Sequence, residues 1–217
     1  MIDESEPSST RRKGSFWREL PMLLIVAIVV AVVVRAFVLQ TFYIPSESME
    51  KTLLINDRVL VNKLIYNFRS PHRGEVIVFE APANWRSTTA DEDFIKRVIG
   101  IPGDHIVCCD DRQRLIINNH PIDEPYIYST DDGAVDLASE QPFDIVVPKG
   151  RFWMMGDHRS HSSDSRERYI REGDVTAATI PEDAIVGRAF VIFWPVGRAT
   201  WLSVPKTFEG IPDPAKT

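Results

Sequence analysis

The sequence predicts a mostly β fold, with irregular, coiled antiparallel sheets preceded by one N-terminal transmembrane helix. Three observations predict it. After residue 50, short runs of β-branched and aromatic residues recur, separated by Pro, Gly, Asn and Asp, the residues that close turns. Fifteen prolines stand beside eleven glycines, which disfavours long helices because an interior proline removes a hydrogen bond and clashes with the preceding turn. One stretch alone, Leu20 to Leu39, is apolar enough for a bilayer.

In chain order, residues 1–19 read as a polar, disordered cytoplasmic tail, rich in Ser, Glu, Pro and Arg. Residues 20–40 form the anchor. Its single charge, Arg35, can snorkel to the interface. The run is rich in Val and Ile, yet in lipid the backbone must satisfy its own hydrogen bonds, so helix is expected. Arg11, Arg12, Lys13 and Arg18 precede it and place the N-terminus in the cytoplasm, with the remainder outside. A cleavable signal peptide is the competing reading. It is disfavoured because the run is long for such a segment and Gln40-Thr41-Phe42-Tyr43 offers no small-x-small site.

Residues 41–204 read as a single outer domain. Val59 to Val61, Glu75 to Phe79 and Phe94 to Ile101 are strands, the last stopped by Pro102-Gly103-Asp104. His105 to Cys109 and Arg114 to Ile117 form a hairpin around Asp110-Asp111. Residues 82–93 look like an exposed loop and 118–141 like the least ordered part of the domain. Phe143 to Val147 and Arg151 to Met155 flank a Pro148-Lys149-Gly150 turn. Residues 156–173 are expected as loop, Ala184 to Trp194 as the longest late strand, and 205–217 as a mobile tail.

Composition narrows the function. The net charge of -6, with Lys and Arg scattered, gives no footprint for nucleic acid. The only two cysteines, Cys108 and Cys109, are adjacent and cannot staple distant segments; they are expected as buried thiols or a strained bridge without catalytic role. His158 and His161, with Asp157 and Asp164, are a weak metal signal, and a solvated loop is preferred, so no metal is expected.

Two stretches bear chemistry. Ile44-Pro45-Ser46-Glu47-Ser48-Met49 places two serines behind a proline, just after the apolar segment. A serine hydroxyl is inert unless a base takes its proton and a donor holds the oxyanion. The stretch could equally be a turn after an anchor. Lys96, in Phe94-Ile95-Lys96-Arg97-Val98, has apolar neighbours on both sides. It either faces water from an edge strand or is buried, and burial depresses a lysine toward a usable base.

Together with Asn56 to Lys63, these stretches resemble the ordered sequence boxes of the bacterial type I signal peptidases. Pro45 to Met49 resembles the nucleophile box and Lys96 to Asp104 the base box. Gly156-Asp157-x-Arg159-x-x-Ser162-x-Asp164-Ser165-Arg166 resembles the last box, with Ile180-Pro181-Glu182 and Val186-Gly187-Arg188 as its sequel. The resemblance runs from the anchor to about Trp194. Three residues depart from the last box: His158 stands where Asn is usual, and Ser160 and His161 replace commoner polar residues.

The resemblance implies a membrane-anchored Ser/Lys endopeptidase that removes signal peptides from secreted preproteins after Ala-x-Ala-type sites, its catalytic domain extracytoplasmic. By match, Ser48 is the nucleophile and Lys96 the general base. The Ser48 N–H and Ser46 hydroxyl would hold the oxyanion, and Ser162 would orient the amine. Asp164, Arg166 and Arg97 would form supporting ion pairs. Phe42, Ile44, Met49, Leu53, Phe94 and Ile95 match the positions that line pockets for small side chains. No cofactor is implied. The implied partners are signal peptides, the lipid bilayer and a neighbouring secretion translocon; a monomer is expected. Cytosolic self-cleaving repressors share the Ser/Lys pair, but the apolar segment and the lack of a basic recognition helix argue against that reading. A third reading is a non-enzymatic β module that binds envelope proteins.

Overall fold

The computed structural model describes residues 16–33, 38–86 and 93–214. The chain falls into two units, Met1–Val38 and Leu39–Thr217.

The first unit contains helix α1, Phe16–Val33. Its side chains from Met22 to Ile25 and from Ile28 to Val30 are exposed. The helix begins earlier than the expected anchor, and among the described residues no helix is long and apolar enough to cross a membrane. The span expected over residues 20–40 is therefore not met. Arg35 and the tail before Phe16 lie outside the described residues, as do residues 87–92 of the expected loop and 215–217 of the expected tail. The far end of the expected anchor belongs to a strand, because Leu39–Tyr43 finds a pairing partner and satisfies its backbone there.

The second unit is built on strands β1 (Leu39–Tyr43), β2 (Arg58–Asn62), β3 (Val76–Glu80), β4 (Asp93–Gly100), β5 (His105–Cys108) and β6 (Leu115–Ile117). β7 (His120–Pro121), β8 (Phe143–Val146), β9 (Arg151–Met155), β10 (Ile180–Pro181), β11 (Ile185–Trp194) and β12 (Thr200–Trp201) complete it. An eight-stranded sheet runs β1-β2-β11-β3-β4-β9-β10, with β12 also beside β11, and a four-stranded sheet runs β7-β6-β5-β8. The pairings are antiparallel, with register shifts in β4 against β9 and in β11 against β2 and β3. Such shifts re-aim side chains and increase local twist, so the sheet is irregular.

The core shows why β3 reads Val-Ile-Val-Phe without polar interruption. Val76 and Val78 point into one buried cluster with Val59, Val61 and Ile192, while Ile77 and Phe79 point into another with Trp85 and Met154. Both faces of the strand are covered, so the alternation of a half-exposed strand is lost. A third cluster, including Ile106, Leu115 and Phe143, lies on the smaller sheet.

Three expectations about irregular segments are corrected. Residues 156–173 are not all loop: helix α2 spans Ser165–Glu172, capped by the Asp164 side chain on the Arg166 N–H and ended by Gly173 at φ +69°. An N-cap Asp and a left-handed Gly are standard helix punctuation. A short helix α3, Val175–Ala178, follows, capped by Asp174. Residues 118–141 lack regular structure beyond β7, yet Ile122, Tyr126, Ile127 and Ala138 are buried in the core. Residues 205–214 are not a free tail: Phe208 and Ile211 are buried, and the Pro212 carbonyl accepts from Arg73 and Asn118. Cys108 and Cys109 are joined in a disulfide.

Candidate active site

The chain leaves β1 at Tyr43 and is pinned at once. Ile44 N donates to Asp57 O and Asn56 N to Ile44 O, both at 3.0 Å. A tight turn follows, closed by Glu50 N to Glu47 O at 2.8 Å and Leu53 N to Met49 O at 2.7 Å. Met49 and Leu53, at 0% exposure, plug this turn into the core. Pro45, Ser46 and Glu47 remain on the surface, and Ser48 lies at the boundary, buried by its neighbours. From the other side the His158 N–H donates to the Ser48 carbonyl at 3.2 Å.

Lys96 approaches from β4. The edge-strand reading fails because β4 is interior, with Val76–Glu80 paired along one side and Met155, Met154 and Trp153 along the other. The side chain is 4% exposed, and its Nζ lies 2.6 Å from Ser48 Oγ and 3.1 Å from the Ile95 carbonyl. Burial strips water from the ammonium and pulls Lys96 down from 10.5 to about 8. Asp164 and Asp157 pull it back up and Arg166 pushes it further down; desolvation wins. Ser46 Oγ stands 3.4 Å from Ser48 Oγ, on the exposed side.

Behind the pair lie buried charges in matched sets. Asp164 is 0% exposed and accepts from Arg166 and from the Gly156 N–H, at 2.8 and 2.9 Å. Burial alone would raise its carboxyl, but the Arg166 charge and these hydrogen bonds outweigh burial and hold it below the ordinary range. Arg97 does not join that pair. Its Nε and Nη2 clasp both oxygens of Asp157 at 2.8 and 2.5 Å, and its guanidinium lies 4.2 Å from the Tyr126 ring centroid. Thr52 Oγ1 donates to the same Asp157 at 2.5 Å. Asp157 thus ties the serine turn to β4. In the sequence Asp157 stands within a motif and a weak metal signal, with no sign of this ion pair, and Thr52 carries no local signal.

Three expectations about placement change. Ser162 makes no hydrogen bond to Lys96: its Oγ is buried without a hydrogen-bond partner. It is packed against Gly156, where any Cβ would collide with Ser162 Oγ and the Ser48 carbonyl. Of the six expected pocket residues, Ile44, Met49 and Leu53 are buried in the core. Phe42, Phe94 and Ile95 are half-buried. The loop histidines are not both solvated: His158 is 4% exposed and stacks on Tyr128 at 3.9 Å between centroids.

The chain matches the family model described as "Signal peptidase, peptidase S26" over residues 17–194. It is 36% identical over 200 residues to a probable signal peptidase I-2 of Synechocystis, covering 92% of this chain and 81% of that one. It is 34% identical to a signal peptidase I of Mycobacterium tuberculosis, covering 90% and 77%. To a signal peptidase I of Leptolyngbya laminosa it is 38% identical, covering 84% and 82%.

Proposed function

This chain belongs to the signal peptidase family, peptidase S26, and we propose that it cleaves N-terminal signal peptides from secreted preproteins after small-x-small sites such as Ala-x-Ala, through an acyl-enzyme on Ser48. The observation that carries the mechanism is the 2.6 Å approach of Lys96 Nζ to Ser48 Oγ, with the amine lowered to about 8. Protonated, that nitrogen can only donate to the hydroxyl; neutral, it accepts from it. Neutral Lys96 takes the Ser48 proton as Oγ adds to the scissile carbonyl. The Ser48 N–H and the Ser46 hydroxyl stabilise the oxyanion. The ammonium returns its proton to the leaving amine of the mature protein, and the same amine then activates water to release the signal peptide.

An extended substrate has a place to lie. β1 is the outermost strand of its sheet and runs directly into the serine turn, so a peptide can add as a further strand, main chain to main chain. Half-buried Phe42 and Ile95 flank its small side chains. The apolar segment that includes α1 attaches the enzyme to the bilayer, and the exposed side chains from Met22 to Val30 support that attachment. The outer domain then works on the extracytoplasmic side, close to the translocon that delivers its substrates, as a monomer without a cofactor.

The test is incubation of the purified full chain with a preprotein bearing an Ala-x-Ala site, beside Ser48→Ala. Cleavage by the parent and its loss by at least ~10³-fold in the variant are expected. A variant that cleaves as well as the parent rules out the serine mechanism; a parent that never cleaves rules out the activity.

A further inference from the structure

Beside Ser48, on its solvent side, three metal-ligand side chains converge that the peptidase chemistry leaves unused. Glu47, His158 and His161 each bring one ligating atom within 4.8 Å of the others. They come from the serine turn and from the segment after β9. His161 and Glu47 are exposed, with His161 Nδ1 3.1 Å from Glu47 Oε2. His158 is the opposite: it is 4% exposed, and its Nδ1 is buried without a hydrogen-bond partner. Glu50 Oε2 lies 3.1 Å from that nitrogen but without hydrogen-bonding geometry. A buried imidazole nitrogen left unsatisfied calls for an explanation, and a cation is one that fits its lone pair.

We propose that Glu47, His158 and His161 bind a divalent transition-metal ion of the zinc class, and that the bound ion closes the Ser48 site. Two imidazoles with a carboxylate are a ligand set of zinc, whereas magnesium and calcium require oxygen ligands. Tetrahedral zinc holds its ligand atoms about 3.3 Å apart, so the cluster must contract. Stacking on Tyr128 fixes the His158 ring. The exposed His161 ring, now stacked on His158 at 4.3 Å and 24°, supplies the movement by turning so that both rings face one ion. Glu47 is bonded to Ser48, and the His158 N–H holds the Ser48 carbonyl, so an ion here fastens both segments that flank the nucleophile. The closing part of this inference rests on the peptidase reading; the binding part does not.

Calorimetric titration of zinc chloride into the metal-free full chain in detergent tests it, beside His161→Ala, Glu47→Gln and a magnesium titration. A single zinc site is expected, silent to magnesium and weakened at least about tenfold in each variant. Preprotein cleavage by the parent should fall as the site fills, while His161→Ala keeps cleaving at the same zinc concentration. Unchanged zinc affinity in both variants, or no binding to the parent up to ~1 mM, overturns the site. Undiminished cleavage with the site filled overturns its closing effect. A metal-free parent that does not cleave overturns the peptidase reading, and with it the closing effect, while the calorimetry still decides the site.

Discussion

A lysine ammonium normally keeps its charge in water and buries only its methylenes. Lys96 does the reverse, and two predictions follow the sign of its displacement. In the proposed mechanism the neutral amine is the reactive form, so kcat/KM should rise about tenfold per pH unit below 8 and level off above it. A profile flat from pH 6 to 9 would contradict the general-base role. The second prediction concerns stability. Between pH 8 and 10.5 the unfolded chain holds the Lys96 proton and the folded chain does not, so stability rises with pH across that window. Below pH 8 both states are protonated and the penalty for burying the charge is fully present, on the order of 3 kcal/mol as an upper limit. Lys96→Met should therefore abolish cleavage yet raise the urea midpoint at pH 7, with the gain shrinking toward pH 10. A gain equal at both pH values, or none, would show that burial is not what lowers the amine.

At the scale of elements, the site is a meeting of three: the serine turn after β1, the interior strand β4, and the segment from Gly156 to the cap of α2. Their junction leaves no room at Gly156, whose missing Cβ admits both the Ser48 carbonyl and Ser162 Oγ. Its φ is not in the left-handed region, so the requirement is space alone. Gly156→Ala must push the serine turn away from β4, and kcat/KM should fall ~10²-fold, the cost of a displacement of about 1 Å at a reacting group. Circular dichroism and peptide hydrolysis measured on the same sample would separate this from unfolding. A folded variant with parental activity would show that the junction is loose. The boxes marked these elements in the sequence, but not which residues couple them. Arg97 was paired in expectation with the Asp164 set, whereas it clasps Asp157 and, through it, Thr52. Partner choice among buried charges is settled by reach and angle, which no local pattern encodes.

For the whole molecule, the division at Leu39 separates an apolar helix from a unit that holds the proposed catalytic groups and, among the described residues, the three core clusters. A chain beginning at Leu39 should fold and cleave a soluble Ala-x-Ala peptide within about threefold of the full chain, because its core is intact. Its rate on a preprotein held in lipid vesicles should fall much further, because tethering confines enzyme and substrate to one surface. Equal losses on both substrates would show that the segment serves the fold and not the attachment. The same scale accounts for two misread segments. Residues 118–141 and 205–214 look mobile because polar residues and prolines dominate them, yet a few apolar side chains in each, such as Tyr126 and Phe208, stack in the core and hold them.

The sequence by itself determined the longer strands after residue 50, the order of the chemical stretches and the family, because alternation, turn residues and motif spacing are local and survive without coordinates; it missed β1, which pairs only with a distant strand. Tertiary structure alone decided that Lys96 is buried against Ser48, that Ile44, Met49 and Leu53 are core, and that His158 is stripped of water beside Glu47 and His161. Each of those is a matter of which distant segments exclude solvent from a side chain, and desolvation depends on every atom packed around it rather than on its neighbours in the chain.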